Sequence, residues 1–446
     1  MKTKMAEIFD LIIKGGDVWT RDGLRQVDIA INSGKIVLLD NISSSSGRNI
    51  FQANGLTVLP GVIDTQVHFR EPGNEHKEDL ESGTRSAALG GVTAIFEMPN
   101  TNPPTTTTEA IQDKLDRAKG RSWVDYAFFV GADPANIEKL PELEKLPGCC
   151  GVKMFMGSST GNLLIPDDDT VRRVLENGKR RVAVHSEDEK RLTERMSERI
   201  SGDPSSHPIW RDPRTAIDAT VRVLKIARET KRKIHVLHVT TAEEVKILSE
   251  AKDIATCEVT PQHLTLSSPD CYQRLGTYAQ MNPPIREQYH KDGLWEGVLD
   301  GVFDVIGSDH APHAKEEKNV PYPGSPSGMP GVQTLLPLML DHFNAGRISL
   351  ERLVDLLCLS PTRIYNIASK GKIEIGYDGD LTIVDLSAKR TISKDWLSSK
   401  CGWSPFEGLE VVGWPMGTII RGNIVMQEEE LINNPLGMPL SFNDSI

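Results

Sequence analysis

The sequence predicts an α/β fold: a (β/α)8 barrel of the TIM type, carrying a small β-sandwich domain formed by both chain ends. Three observations predict it. Eight short apolar runs recur through the middle of the 446-residue chain. Helical-looking segments separate most of them. The two ends share a different texture, of alternating strands broken by Gly, Asn and Asp turns.

At the N-terminal end, Leu11–Lys14 leads into Gly15-Gly16, and Val27–Ile31 alternates cleanly up to Asn32-Ser33-Gly34 before Ile36–Leu39. Near the other end come Lys372–Glu374, the turn Asp378-Gly379-Asp380, Leu381–Val384, Thr418–Arg421 and Ile424–Met426. We read 1–59 and 369–446 as one composite β domain and 60–368 as the barrel. The apolar runs are Val58–Asp64, Val92–Pro99, Tyr126–Ala132, Gly151–Met156, Val182–Glu187, Lys233–Val239, Ile254–Pro261 and Val302–Asp309. Asp79–Leu89, Glu109–Ala118, Pro213–Thr230 and Ala242–Ala251 read as helices between them. Largely apolar strands alternating with helices argue for a parallel sheet buried on both faces. Eight such units over roughly 250–300 residues match a closed barrel. No G-x-G-x-x-G follows a first strand, which argues against dinucleotide binding. Pro312–Pro330, rich in Pro, Gly and Lys, reads as a long mobile loop, and Gln427–Ile446 as a peripheral or partner-facing tail.

The formal net charge of −11 argues against nucleic acid or an anionic membrane as the main partner. It leaves room for a small anionic substrate, which needs one local Arg. None of the six cysteines forms a C-x-x-C pair, so they read as small apolar residues of a reducing, cytoplasmic environment. Met1–Ile8 is polar with no signal-peptide core, and no run approaches the ~18 apolar residues of a membrane span.

In a barrel of this type the active site lies at the C-terminal strand ends, and there the runs turn polar. The first ends in Asp64-Thr65-Gln66-Val67-His68-Phe69-Arg70, the second in Glu97-Met98-Pro99-Asn100. The fourth carries Lys153, the fifth ends in His185-Ser186-Glu187, the sixth contains His235 and His238, and the eighth ends in Ser308-Asp309-His310. Imidazole with carboxylate suits zinc or a similar divalent ion. Taken singly, a strand-end His is more often a hydrogen-bonded structural residue and Asp a turn residue. Their joint placement on five strands of one rim points to a metal site. His76, His207, His263, His290 and His342 lack that setting and read as surface or structural. Lys153, flanked by apolar residues, costs too much as a free ammonium unless paired or modified.

Three segments carry a resemblance. They are His68-Phe69-Arg70-Glu71-Pro72-Gly73, Glu97-Met98-Pro99-Asn100-Thr101-Asn102-Pro103, and Gly307-Ser308-Asp309-His310-Ala311-Pro312-His313 with Lys318 beyond it. In these the chain resembles the amidohydrolase superfamily, and within it the dihydroorotases of the longer, barrel-plus-β-domain type. The resemblance implies reversible zinc-dependent hydrolysis of dihydroorotate to N-carbamoyl-L-aspartate in pyrimidine biosynthesis. It implies one or two zinc ions, with His68 and Asp309 on the first, His185 and His238 on the second, and Lys153 carboxylated to bridge them. It makes Asp309 the general base that later protonates the leaving ring nitrogen. It gives Arg70, Asn100 and His313 to the substrate carboxylate and Asn282 to the ring, under a loop around Gly328–Gly331. A guanidinium is the natural planar clamp for a carboxylate. A homo-oligomer is expected, with aspartate transcarbamoylase as a partner to consider.

One position departs from the pattern. The family places His at both ends of the H-x-H pair, and here the first is Gln66. Gln66 ligates through its weaker amide oxygen, or the first metal is held by fewer groups, or that metal is lost. Two other readings compete. An allantoinase or dihydropyrimidinase shares the metal set but typically lacks the Arg at position 70. A non-catalytic homologue supporting aspartate transcarbamoylase loses ligands, whereas Lys153, His185, His238 and Asp309 all persist.

Overall fold

The computed structural model describes residues 8–443. The expectations placed on 1–7 and 444–446 lie outside the described residues. Within them, eight parallel strands follow in chain order: β1 (Val62–Val67), β2 (Val92–Glu97), β3 (Asp125–Gly131), β4 (Cys149–Phe155), β5 (Val182–His185), β6 (Ile234–Val236), β7 (Ala255–Val259) and β8 (Val305–Ile306). Each pairs with its neighbour in sequence. The ring closes between β1 and the end of β8. Val67 bridges His310, and the His68 amide donates to the His310 carbonyl at 2.7 Å. The buried Asp64 carboxylate clamps the seam, accepting from the backbone of Gln66 at 3.1 Å and of Ser308 at 3.0 Å.

Every residue of β1, β2, β3 and β4 is buried. Helices cover one face of such strands and the barrel interior the other, so the runs read as continuously apolar. The helices begin where their caps stand. Asp79 caps Leu80–Leu89 with a reciprocal Ser82 bond, and Asp212 caps Pro213–Thr230, whose first residue is proline. β6 and β8 are shorter than their apolar runs. Just beyond their ends His238 and Asp309 adopt left-handed backbone, with φ of 37° and 44°, and both side chains line the barrel mouth.

The chain ends build two further sheets. One orders Glu430–Leu431, Asn423–Gln427, Glu410–Ile420, Leu381–Thr391, Thr57–Pro60, Asp17–Thr20 and Gly23–Gln26; the other orders Lys35–Asp40, Asp28–Asn32, Phe9–Lys14 and Gly47–Gln52. They share an apolar cluster that includes Leu11, Ile29, Phe51, Leu381 and Ile419. Lys372–Glu374 forms no strand; Ile373 instead buries its side chain in that cluster.

Two further expectations are corrected. Pro312–Pro330 is not a free loop: it contains the turn of helix Lys315–Lys318, and both Lys318 and Tyr322 are buried. The Lys318 ammonium donates to the carbonyls of Pro326 at 2.8 Å and Gly328 at 3.2 Å. The described part of the tail is not peripheral either. The amides of Tyr126 and Leu440 alternate with the carbonyls of Met438 and Tyr126, at 3.1 and 2.8 Å, and Leu440 is buried. Leu436, Leu440 and Phe442 have apolar surface to cover, and the N-terminal end of the barrel offers it. All six cysteines are free and buried. No described helix is long and apolar enough to cross a membrane.

Candidate active site

The mouth of the barrel opens into a cavity of about 350 Å3. His68, Arg70, Asn100, Lys153, His185, His238, Asn282 and Asp309 all line it, with Gln66 and Gly328. Of the residues expected at the site, His313 does not reach the cavity. It lies behind Arg70, with Nε2 3.3 Å from the guanidinium and 3.0 Å from the Ser327 carbonyl. A wider cavity of about 520 Å3 at the opposite end of the barrel is lined by Lys179, Arg181 and Lys233 and has no imidazole or carboxylate in its wall.

Two pairs of donors face each other across the mouth. His185 Nδ1 and His238 Nε2 are 3.0 Å apart, and His68 Nε2 is 3.2 Å from Asp309 Oδ1. Two ligands on one tetrahedral ion, each at ~2.05 Å, stand about 3.3 Å apart, so both pairs have the span of ligand edges. The outer nitrogens fix the tautomers. His185 Nε2 donates to Glu187 at 3.0 Å, and His68 Nδ1 donates to Asn100 Oδ1 at 2.7 Å. The inner nitrogens of both rings therefore carry lone pairs: His68 Nε2 faces the Asp309 carboxylate, and His185 Nδ1 accepts from the Nε2–H of His238. Burial holds the imidazoles neutral: it pushes His68 down to about 4, and lowers His185 and, further, His238. Between His68 and Asp309 both facing atoms are acceptors and a cation suits the gap; between the two rings a cation would take the place of the His238 proton. His238 Nδ1 is buried with no partner.

Among the described residues no three His, Cys, Asp or Glu side chains gather closely enough to hold an ion alone. A third donor must come from a different residue type, and Lys153 lies between the pairs. It is 1% exposed. Burial pushes its amine down to about 7, against the pull of Asp309 and Glu258. A neutral buried amine is the form that reacts with CO2 to give a carbamate, and a carbamate at this position would add oxygen donors between the pairs.

Arg70 sits at φ 66°, a left-handed backbone that a non-glycine residue adopts only where the surroundings impose it. Its Nε donates to the Pro312 carbonyl at 3.1 Å. Burial lowers its pKa to about 10. The Asn100 amide nitrogen donates to Thr160 at 2.9 Å and that of Asn282 to Ser159 at 3.2 Å. Glu97, polar at its strand end, is instead tied to the buried Lys114.

Several residues escaped the sequence reading. Arg211 pairs with Glu187; burial raises that carboxyl, but Arg211 and then His185 bring it down to about 2. Glu187 was in view because it follows His185, whereas nothing local marks Arg211. His207, read as surface or structural, is buried, and its Nε2 lies 3.0 Å from Asn282 Oδ1. Of the five histidines set aside, only His76 is exposed. Glu258, under the mouth, accepts from Thr65 at 3.0 Å.

The model of the amidohydrolase family matches residues 57–425. The chain belongs to the amidohydrolase family. Within it, a dihydroorotase of Methanosarcina mazei is 37% identical over 443 residues, covering 96% of each chain. A dihydroorotase of Halobacterium salinarum is 39% identical over 82% of this chain and 86% of its own length. An L-hydantoinase of Paenarthrobacter aurescens is 32% identical over 95% of this chain and 96% of its own. Among solved amidohydrolase-like structures, the L-hydantoinase from Arthrobacter aurescens superposes with a TM-score of 0.91 at 29% identity, over 97% of this chain and 100% of that one. The dihydropyrimidinase from Brevibacillus agri gives 0.88 at 27%, over 96% and 97%. The barrel with its terminal sheets is thus the architecture of metal-dependent cyclic amidohydrolases.

Proposed function

We propose that this amidohydrolase is a dihydroorotase, which opens dihydroorotate to N-carbamoyl-L-aspartate and closes it again in pyrimidine biosynthesis. The observation that carries the reading is Arg70. A buried guanidinium facing the cavity, bonded within the protein to a carbonyl and an imidazole, needs an anion to offset its desolvation. A ring carboxylate is such an anion. The curated relatives at 34–39% identity over most of the chain carry the same activity in their names.

In this reading His185 and His238 would hold one zinc ion and His68 with Asp309 the other, with Lys153, as a carbamate, adding oxygen donors to both. Zinc bound there would acidify water and polarise the scissile carbonyl. The remaining work belongs to the chain. Asp309 takes the proton of the attacking water and returns it to the ring nitrogen as the C–N bond breaks. Arg70 grips the carboxylate with Asn100 beside it, and His313 holds the guanidinium in place. Asn282 contacts the ring. Glu187 and Arg211 keep His185 in its Nε2–H tautomer. The domain division at 59/60 and 368/369, a cytoplasmic homo-oligomer and an association with aspartate transcarbamoylase belong to the same proposal.

A second reading has a specific observation in its favour, the close superposition on an L-hydantoinase. A neutral hydantoin ring would leave Arg70 without its anion. Both substrates should be assayed by absorbance, with and without chelator, and carbamoyl aspartate in the reverse direction. We expect chelator-sensitive turnover of dihydroorotate well above that of hydantoins. Preference for hydantoins would overturn the substrate, and activity in protein free of metal would overturn the metal.

A further inference from the structure

The two donor pairs are not equivalent, and Gln66 is the reason. Its Nε2 donates to Asp309 Oδ1 at 2.9 Å, the same oxygen that faces His68. A carboxylate is acceptor-only, so the amide must present its nitrogen there. An amide nitrogen does not ligate a metal. For Gln66 to serve an ion at His68 and Asp309, its N–H must leave Asp309 and the amide must turn over. It sits 1% exposed, and Oε1 is buried without a partner. After turning, the two N–H groups would occupy that unpartnered position. The half-site at His185 and His238 needs no side chain turned over: only the His238 proton, shared with His185 Nδ1 at 3.0 Å, must move to the unpartnered Nδ1.

The supporting groups differ in the same sense. His185 leans on a carboxylate, Glu187, itself paired with Arg211. His68 leans on the neutral amide of Asn100. A carboxylate behind an imidazole raises its basicity toward a metal, and such partners are worth roughly 10–100-fold in affinity. Lys153 is common to both half-sites and cannot offset the difference.

We propose that the metal centre is graded by design of this chain: a tight ion at His185 and His238, and a labile one at His68 and Asp309. When the labile ion is absent, the Gln66 N–H takes its place in holding Asp309. Gln66 is thus a positioning residue that lets the enzyme stay ordered with one ion. This rests on the metal reading proposed above.

The test is metal retention rather than activity. Wild type, Gln66→His and Gln66→Glu are loaded with zinc, passed over chelating resin and analysed by mass spectrometry. We expect about one zinc per chain in wild type and close to two in both variants, each of which replaces the amide by a strong ligand. Titration of wild type should resolve two events with the second at least roughly 100-fold weaker. Either variant suffices if the other fails to fold. Two retained ions in wild type, or one in a folded variant, would overturn the proposal. No retained zinc in any of the three would instead remove the metal reading itself, and this inference with it.

Discussion

Arg70 shows how much one side chain can decide. It is 4% exposed and held from behind by Pro312 and His313. Arg70→Ala should lower kcat/KM for dihydroorotate by at least roughly 100-fold, the scale of a lost bidentate charged contact, while zinc content by mass spectrometry stays at the wild-type value. Surviving turnover would remove its carboxylate role. Lys153 gives a pH prediction. Its amine is pushed down from the ordinary lysine value to about 7. The amine is neutral above that pH and protonated below it, and only the neutral form attacks CO2. The attack forms an N–C bond and releases one proton from nitrogen. Uptake of labelled bicarbonate by metal-free protein, followed by carbon NMR, should therefore rise with pH to half-maximum near 7. An ordinary lysine would do so near ~10.4. His207 makes the same kind of point for Asn282: a contact at 3.0 Å to Oδ1 orients an amide that lines the cavity.

At the scale of elements, the segment after β8 is the instructive one. Its composition, with prolines, glycines and charges, is that of a mobile loop, yet Lys318 ties it down from inside. The ammonium donates to two carbonyls and lies 5.7 Å from the Trp403 ring centroid. Gly328, which supplies one of those accepting carbonyls and lines the cavity, has φ 139° and no room for a Cβ, because the Ala311 carbonyl stands where it would go. Lys318→Met keeps the stem and removes the donors, leaving two buried carbonyls unsatisfied at about 1–3 kcal/mol each. Hydrogen exchange should speed up over 325–330 and KM should rise several-fold, with zinc retained. Unchanged exchange there would show that packing alone holds the segment.

At the scale of the whole molecule, the two ends of the barrel have different work. The C-terminal strand ends converge on the cavity, and the opposite end is closed by the chain's own tail. Leu440 inserts there, in a cluster with Phe96, Phe129 and Tyr365. Leu440→Ala should cost about 3 kcal/mol, measured as a shift in denaturant midpoint, and leave kcat and KM unchanged because the mouth is untouched. A loss of activity in protein that stays folded would mean the two ends are coupled.

The amino-acid sequence by itself determined the barrel, the terminal β domain and the residues at the mouth. Apolar periodicity is a local property, and the polar residues that break it fall at strand ends. Gln66 too was visible as a departure. What it does was not: its donation to Asp309 spans 243 positions. The same holds for Arg211 with Glu187, for His207 with Asn282, and for His313 behind Arg70, separated by 24, 75 and 243 positions. Only closure of the barrel brings those loops together. The pinned segment and the inserted tail were misread for one physical reason. Polar, proline-rich composition reports what a stretch can do alone, whereas burial depends on the surface it meets. The tertiary structure therefore decided which donors face which acceptors at the barrel mouth, and with that the asymmetry on which the proposed grading rests.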